Sequence, residues 1–459
     1  MTRVFVGTFD IAGTVTNIAA SLRAVGYEVE TGVWRKHEPY FSHFEYDHDL
    51  KWLSEELKYR QVRNGMVQPE LSDKAIEFIL GFDVYVFCAA HSFLLGNLDY
   101  PILHSKKKTI VSYLCGSEVR HWSAAQPMWE AWGTPLPSYI QAQTPAAHCE
   151  NLVEVIRHGI YHGTLANRLH NLRMAERYST AIFSTHDQSG LGVRPFHHFR
   201  VPMDIAACEF RIPGRQIPVV LHAPTNRAFK RSDLILGALQ QLQEEGVAFE
   251  LRLLEGIPHS EILKALTDAD VLIDEMSLYP ATLSHEAMAS GCAVLSGNKI
   301  EANPLPARRP VVHIEPSNLV DQLRRVLTDG NLRVELAKAG RRYVEATNSP
   351  EAIGRFIENA IREGRAGIAD YYPKFFFTDF TNVTGERVPD YIRQMTMGAI
   401  LTHGAPADTN VEQLVAAGML PPNALSVINH VPRWPSTLRE TASWVLCGRD
   451  IEPIAAPEA

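Results

Sequence analysis

Residues 219–297 read VVLHAPTNRAFKRSDLILGALQQLQEEGVAFELRLLEGIPHSEILKALTDADVLIDEMSLYPATLSHEAMASGCAVLSG. Residues 219–221 are a short apolar run, 222–231 a polar loop, and Leu234, Ala238, Leu239 and Leu242 then recur on one face of a helix. Further apolar runs at 249–254 and 271–273 lead into Gly256-Ile257-Pro258-His259 and into a second loop over 274–283. Buried strands that alternate with amphipathic helices predict an open parallel sheet with helices on both faces.

In such a sheet, ligands bind beyond the carboxyl ends of the strands, where helix N-termini present unpaired N–H groups and a partial positive charge. Lys230 and Arg227 fall at one strand-to-helix mouth, where a phosphate would bind. The N–H groups of Ala281, Thr282 and Leu283 fall at the next, and Pro258 and Tyr279 lie on the adjoining loops. Glu286 is read into the first turn of the helix that follows, where the helix dipole favours a carboxylate that could also take hydrogen bonds from the two hydroxyls of a ribose. The set suits a nucleotide diphosphate.

The stretch resembles the nucleotide-binding domain of GT-B glycosyltransferases, in particular the large retaining family marked by a lysine after the first strand and an E-x7-E motif ending in EAMA-G-PV. Within Glu286-Ala287-Met288-Ala289-Ser290-Gly291, Glu286 matches the second glutamate of the motif, and Lys230 matches the phosphate-binding lysine. The resemblance implies that Glu286 holds the donor's ribose. Two positions depart from the pattern. Leu278 stands where the first glutamate belongs, so the contact to the sugar's 3-hydroxyl is missing or falls to Glu275 or Tyr279; Thr225 stands where the phosphate arginine belongs, with Arg227 as its substitute.

The N-terminal half reads the same way. Residues 4–6 are an apolar strand, 7–13 a loop ending in Gly13, and Val15, Ile18, Ala19, Leu22 and Val25 recur at helical spacing before Gly26. A later strand, 83–87, ends in Cys88-Ala89-Ala90-His91-Ser92, similar to the family's strand whose terminal histidine faces the transferred sugar. By that resemblance His91 assists at the sugar's hydroxyls, and Gly13 contacts donor or acceptor. Lys230, Arg227 and the N–H groups of 281–283 would stabilise the leaving phosphate without a metal, and front-face attack would retain the anomeric configuration.

A 459-residue chain accommodates two such domains, read as 1–205 on the acceptor side and 206–368 on the donor side, with a mainly helical extension, 369–459, crossing back to the first and shaping an acceptor site or dimer contact. Residues 152–178 read as helical, and 453–459 as disordered. The net charge of −8 argues against nucleic acid as a partner. No run approaches the ~18 apolar residues of a membrane span, and Met1-Thr2-Arg3 running straight into a strand does not have the form of a signal peptide, so a cytoplasmic location is expected. Lys106-Lys107-Lys108 reads as a solvated turn, with peripheral contact to an anionic membrane as the other reading. Six scattered cysteines without C-x-x-C spacing point to neither zinc nor disulfides. His197-His198 have no carboxylate at metal-ligand spacing, so no metal is expected; the sequon Asn382-Val383-Thr384 reads as a chance match. The expected partners are a nucleotide-sugar donor, which is a substrate rather than a cofactor, a glycan, lipid-linked or small-molecule acceptor, and a second copy as a homodimer. The rival readings are a nucleotide-sugar epimerase on the same fold and a partner subunit that has lost catalysis. A dinucleotide oxidoreductase is disfavoured, because no G-x-G-x-x-G follows either first strand.

Overall fold

The computed structural model describes residues 2–36, 44–61, 67–134, 136, 140, 148–161, 163–188, 190–276, 279–299, 309–370, 373, 385–404 and 411–428. Leu278, the sequon, 453–459 and most of the aromatic run 371–377 lie outside them.

Two parallel sheets form the frame of an α/β molecule. The first runs β3-β2-β1-β6-β7-β8-β9, with β1 Arg3–Thr8, β2 Glu28–Val33, β3 His48–Asp49, β6 Val84–Cys88, β7 Thr109–Tyr113, β8 Ala181–Ser184 and β9 His197–His198. The strands β4 Leu57–Gln61 and β5 Val67–Leu71 pair as a separate antiparallel hairpin, which the sequence reading did not anticipate. The second sheet runs β11-β10-β12-β13-β14, with β10 Val219–His222, β11 Glu250–Leu253, β12 Val271–Ile273, β13 Ala293–Ser296 and β14 Val312–His313. Its central strands are buried along their whole length, as strands covered on both faces must be.

The helices that matter to the site are α1 Thr14–Ala24, α2 Trp122–Ala131, α3 Leu165–Tyr178, α4 Ser232–Glu244, α5 His259–Thr267, α6 Thr282–Ser290, α7 Gly330–Thr347, α8 Pro350–Arg365 and α9 Asp390–His403. In α4, Ile235, Ala238, Leu239 and Leu242 are buried against the second sheet. The helical stretch read over 152–178 comprises two helices, Leu152–Tyr161 and α3, with Thr164 capping the start of α3 by accepting from the Asn167 N–H. The threonine cap satisfies a terminal N–H that a continuous helix would not expose.

The sequence reading ran the second domain from residue 206 to residue 368. Residues 350–365, assigned there to the second domain, pack on the first: Ile353, Ile357, Ala360 and Ile361 share a core with Val15, Ile18 and Leu22 of α1. The approach is so close that a Cβ on Gly354 would stand 2.2 Å from the Ser21 carbonyl oxygen. An amphipathic face records that a helix must be covered but not by which lobe.

The extension follows on the same lobe. Ile392, Ala399, Ile400, Leu414 and Ala424 are buried with Leu165, Leu169 and Leu172. Thr396 of α9 accepts from buried Arg173 Nε of α3 at 2.7 Å, and Glu386 Oε2 accepts the Leu165 N–H at 3.0 Å, capping α3 from the extension.

Burial raises the Glu386 carboxyl from 4.5 to about 7, against the opposing N–H donors of Leu165 and Ala166. The nearby His121, 3.9 Å away, is held near 3 by burial and by Arg168, and stays neutral through that window. A folded-state pKa above the unfolded one means that the native protein binds the extra proton, so stability falls as pH rises from the usual glutamate range through about 7. Glu386→Gln keeps the acceptor and removes the titration. Denaturant unfolding at pH 5 and pH 8 should show the variant gaining on the parent by up to about 3 kcal/mol at the higher pH; a gain equal at both pH values would contradict the assignment.

Candidate active site

Both sheets reverse their strand order once, and each reversal opens a crevice. In the first sheet it lies between β1 and β6, which lead into the 9–13 loop and into His91. In the second it lies between β10 and β12, which lead into the loops carrying Lys230 and Tyr279. The two crevices enclose one cavity of about 260 Å³.

On the second lobe, α6 begins at Thr282 with Ala281 as its cap residue, and it has neither a side-chain cap nor an acid in its first turn. Its N-terminus opens into the cavity through Ala281 and Thr282. Glu286 therefore lies one turn further in than the sequence reading placed it. The carboxylate is buried and takes a hydrogen bond from His259 Nε2 at 2.7 Å. Burial opposes protonation of His259, but Glu286 outweighs it and holds the imidazole pKa above its ordinary value. The His259 ring also meets the Phe44 ring of the first lobe at 6.4 Å, so the pair sits against the interlobe crevice.

Lys230 ends a short helical turn, Arg227–Lys230, within what the sequence reading took as loop; the turn is capped by Asn226 Oδ1 accepting from the Phe229 N–H. The ammonium is buried in an ion pair with Asp274 at the end of β12, and Asp274 Oδ2 accepts from Ser284 Oγ of α6 at 2.6 Å. Burial alone would lower the lysine's pKa. Asp274, Glu275 and Glu286 outweigh it, so the pKa stands above the ordinary value and the group stays charged. Arg227 turns away from this cluster: its guanidinium is exposed and forks onto Glu255. The Arg227 guanidinium, expected at the phosphate, thus points away from Lys230, its fork taken by a solvated carboxylate on the neighbouring loop.

On the first lobe, Ala12 and Gly13 take left-handed backbone with φ of 54° and 75° and turn the chain into α1. A Cβ at Gly13 would come within 2.7 Å of the Phe44 ring, so glycine is needed there for space as well as for φ. Ala12 and Thr14 line the cavity while Gly13 supports them from behind. His91 follows two alanines, Ala89 and Ala90, that also have left-handed φ, of 55° and 53°. Side chains with a Cβ adopt such a conformation at a cost of ~1–2 kcal/mol each; here the double turn swings His91 out of the strand. Its ring is open to solvent on one side and flanked by Phe9 at 5.3 Å. The surrounding protein, with help from Arg168, lowers its pKa to about 4.

Between the lobes, the cavity wall brings together Arg120, Arg200 and Arg309 with Ala281 and Thr282. Arg120 Nη1 is 2.7 Å from Asp187 Oδ2. Tyr279 of the second lobe donates to Asp187 Oδ1 at 3.1 Å and lies 3.2 Å from Thr185 Oγ1, so a polar contact spans the cleft. Beside it, Trp129 of α2 meets Phe229 at 6.3 Å. Of the residues singled out from the sequence, Glu275, Tyr279, Ala281 and Thr282 line this cavity. Lys230, Glu286 and Leu283 stand behind its second-lobe wall, His91 and Pro258 lie elsewhere on the adjoining loops, and Arg227 faces outward. Arg200, Arg309, Gln188 and Tyr343 line it and were not singled out. The Arg308-Arg309 pair was visible as a local basic dipeptide, but no spacing tied it to the loops around Lys230.

No protein-family model matches the chain, and no curated protein matches it. Solved structures do. Sucrose-phosphate synthase from Thermosynechococcus elongatus superposes with a TM-score of 0.50 and 14% identity, covering 80% of this chain and 100% of that one. The chain has the GT-B fold. Two other GT-B structures align over similar spans: Anabaena HepE in complex with UDP-glucose, at 11% identity, TM-score 0.45 and 79% and 100% coverage, and the catalytic domain of starch synthase IV from Arabidopsis thaliana bound to ADP and acarbose, at 11% identity, TM-score 0.45 and 80% and 99% coverage. In this GT-B molecule the cavity described above occupies the cleft between the two lobes.

Proposed function

We propose that the protein is a glycosyltransferase that moves a sugar from a nucleotide-diphosphate donor to an acceptor hydroxyl, with retention and without a metal at the donor, in bacterial glycan or glycoconjugate synthesis. The observation that carries the reading is the bare N-terminus of α6, opening into an interlobe cavity walled by Arg120, Arg200 and Arg309. Helix N–H groups and guanidinium groups in one cleft suit a diphosphate, whose charge grows as the anomeric bond breaks. Glu286 would take the ribose hydroxyls, exchanging part of its bond with His259 for them, and Lys230 would add positive charge from behind the wall. Retention follows the family resemblance, with the leaving phosphate accepting the acceptor's proton. The first lobe, with its extension, would present the acceptor, and closure across the Tyr279–Asp187 contact would exclude water. Among the described residues no helix is long and apolar enough to cross a membrane; an acceptor in a membrane would be reached from its surface.

A thermal-shift and hydrolysis panel over UDP-, GDP-, ADP- and TDP-sugars tests the reading. One nucleotide class should stabilise the protein, by about 2.7 kcal/mol at a hundredfold excess over its Kd, and Glu286→Ala should weaken that class about tenfold or more, equivalent to ~1.4 kcal/mol. Absence of a shift with every nucleotide would overturn the proposal.

A further inference from the structure

We infer that His197, Glu363 and Asp370 form a binding site for a divalent transition-metal cation of zinc type, separate from the proposed donor chemistry. His197 lies on the edge strand β9 and is 2% exposed, its ring tilted against that of Phe183 at 5.7 Å. The Nδ1 atom has no hydrogen-bond partner and looks onto two carboxylates, Asp370 Oδ2 at 3.7 Å and Glu363 Oε2 at 4.0 Å. All three donor atoms lie within 4.8 Å of one another. These separations are too long for hydrogen bonds. An imidazolium would not leave them so. In the same protein His259 closes on Glu286 to 2.7 Å, whereas here one nitrogen, able to donate a single proton, is faced by two carboxylates that both stand off.

The spacing fits a shared cation. Ligands ~2.0–2.2 Å from a zinc ion lie ~3.4 Å or a little more apart, so closure takes a contraction of about 0.3 Å toward Asp370, about 0.6 Å toward Glu363 and up to about 1.4 Å between the two carboxylates. The Glu363 side chain, 37% exposed, is free to supply it. Asp370 is already oriented, because its Oδ2 accepts the His198 N–H at 3.0 Å and retains a second lone pair. One imidazole and two carboxylates favour a borderline cation over calcium or magnesium, which take oxygen ligands almost exclusively. The sequence reading found no carboxylate near His197-His198; the fold supplies both, from the last turn of α8 and from the residues just after it. A cation there would staple the returning helix to the open edge of the first sheet, at the point where the chain departs for the extension.

The test uses tag-free full-length protein stripped with a chelator, then titrated with zinc, cobalt or magnesium chloride. The expected result is one equivalent of zinc per chain, a higher Tm with zinc and cobalt but not magnesium, and cobalt absorption bands of a low-symmetry site. Glu363→Gln, at the surface and so safe for folding, and Asp370→Asn should each weaken cobalt binding by at least the ~10-fold that even an outer-sphere partner is worth. A Tm indifferent to zinc would overturn the inference, as would cobalt binding equally to the parent and to both variants. A Tm lowered by the substitutions in metal-free buffer, with no metal dependence, would assign the cluster to a simple ion pair instead.

Discussion

Lys230→Met should unfold with about 3–5 kcal/mol less stability than the parent, far more than the ~0–1 kcal/mol of an exposed ion pair. The reason is the partner left behind. Asp274 is fully buried at the end of β12, and Lys230 is its only cation in direct ion-pair contact among the described residues. In the parent, burial pushes the Asp274 carboxyl up while Lys230, Ser284 and His222 pull it further down, so its pKa lies below the ordinary aspartate value. A depressed folded pKa contributes stability that is present above the unfolded pKa and lost as pH falls through the folded one. Without the lysine, desolvation prevails and the sign reverses: the variant should regain stability on acidification, as Asp274 takes up a proton. Denaturant unfolding across pH 4–8 would show the two slopes crossing. The double variant Lys230→Met/Asp274→Asn should recover most of the loss, because no charge is then buried alone. If the single variant proved as stable as the parent, the pair would have to be open to solvent and the buried cluster described here would be wrong. The result also governs how donor assays are read, since a lost nucleotide response in a Lys230 variant has a structural cause unless the double variant shows it too.

That cluster marks the limit of what the sequence reveals. The strands around Val219 and Val271 were legible because buried parallel strands are short, uninterrupted apolar runs, and α6 was legible because a compact helix ending at Gly291 follows a loop. Lys230 could be placed at a strand end for the same reason. Its partner could not: Asp274 is joined to Lys230 only by the pairing of β10 with β12, and local periodicity carries no record of which strands lie side by side. The same applies to α8, whose apolar face fits either lobe, and to the hairpin of β4 and β5, whose register is set by pairing between the two strands. Arg227 is a different case. Its position in the chain was read correctly, but its direction was set by Glu255, on the loop after β11, which no motif links to it. The wall of the cleft was therefore half legible: the backbone end of α6 follows from the order of elements, whereas Arg200 and Arg309 arrive on irregular segments whose course depends on the finished fold.

Arg309→Ala should lower the rate of sugar transfer, or of donor hydrolysis, by about 10²–10³-fold in kcat, as removing one preorganised donor from a developing negative charge does. The residue is 7% exposed and shares the cavity wall with Ala281, Thr282 and His285 around the start of α6. Burial and then Arg309 itself help to lower the pKa of His285 to about 4, against the opposing hydrogen bond that His285 Nδ1 donates to the Ala281 carbonyl and the charge of Asp274, so the imidazole is neutral near pH 7. The positive character at that helix end then comes from the N–H groups and from Arg309. On the function proposed above, this guanidinium faces the leaving diphosphate, and its contribution grows as charge accumulates there; the loss should fall on kcat more than on KM. Arg309→Lys should restore only part of the rate, since a point charge cannot offer a planar two-donor fork to phosphate oxygens. Arg227→Ala provides the contrast. Its side chain is solvated and held by Glu255, so activity should change by less than about twofold, with little effect on stability. Steady-state kinetics on the three variants, with the donor that the panel selects, separates the alternatives. A raised KM with unchanged kcat in Arg309→Ala would assign the residue to uniform donor binding, and a large kcat loss in Arg227→Ala would return the phosphate contact to the position that the sequence first suggested.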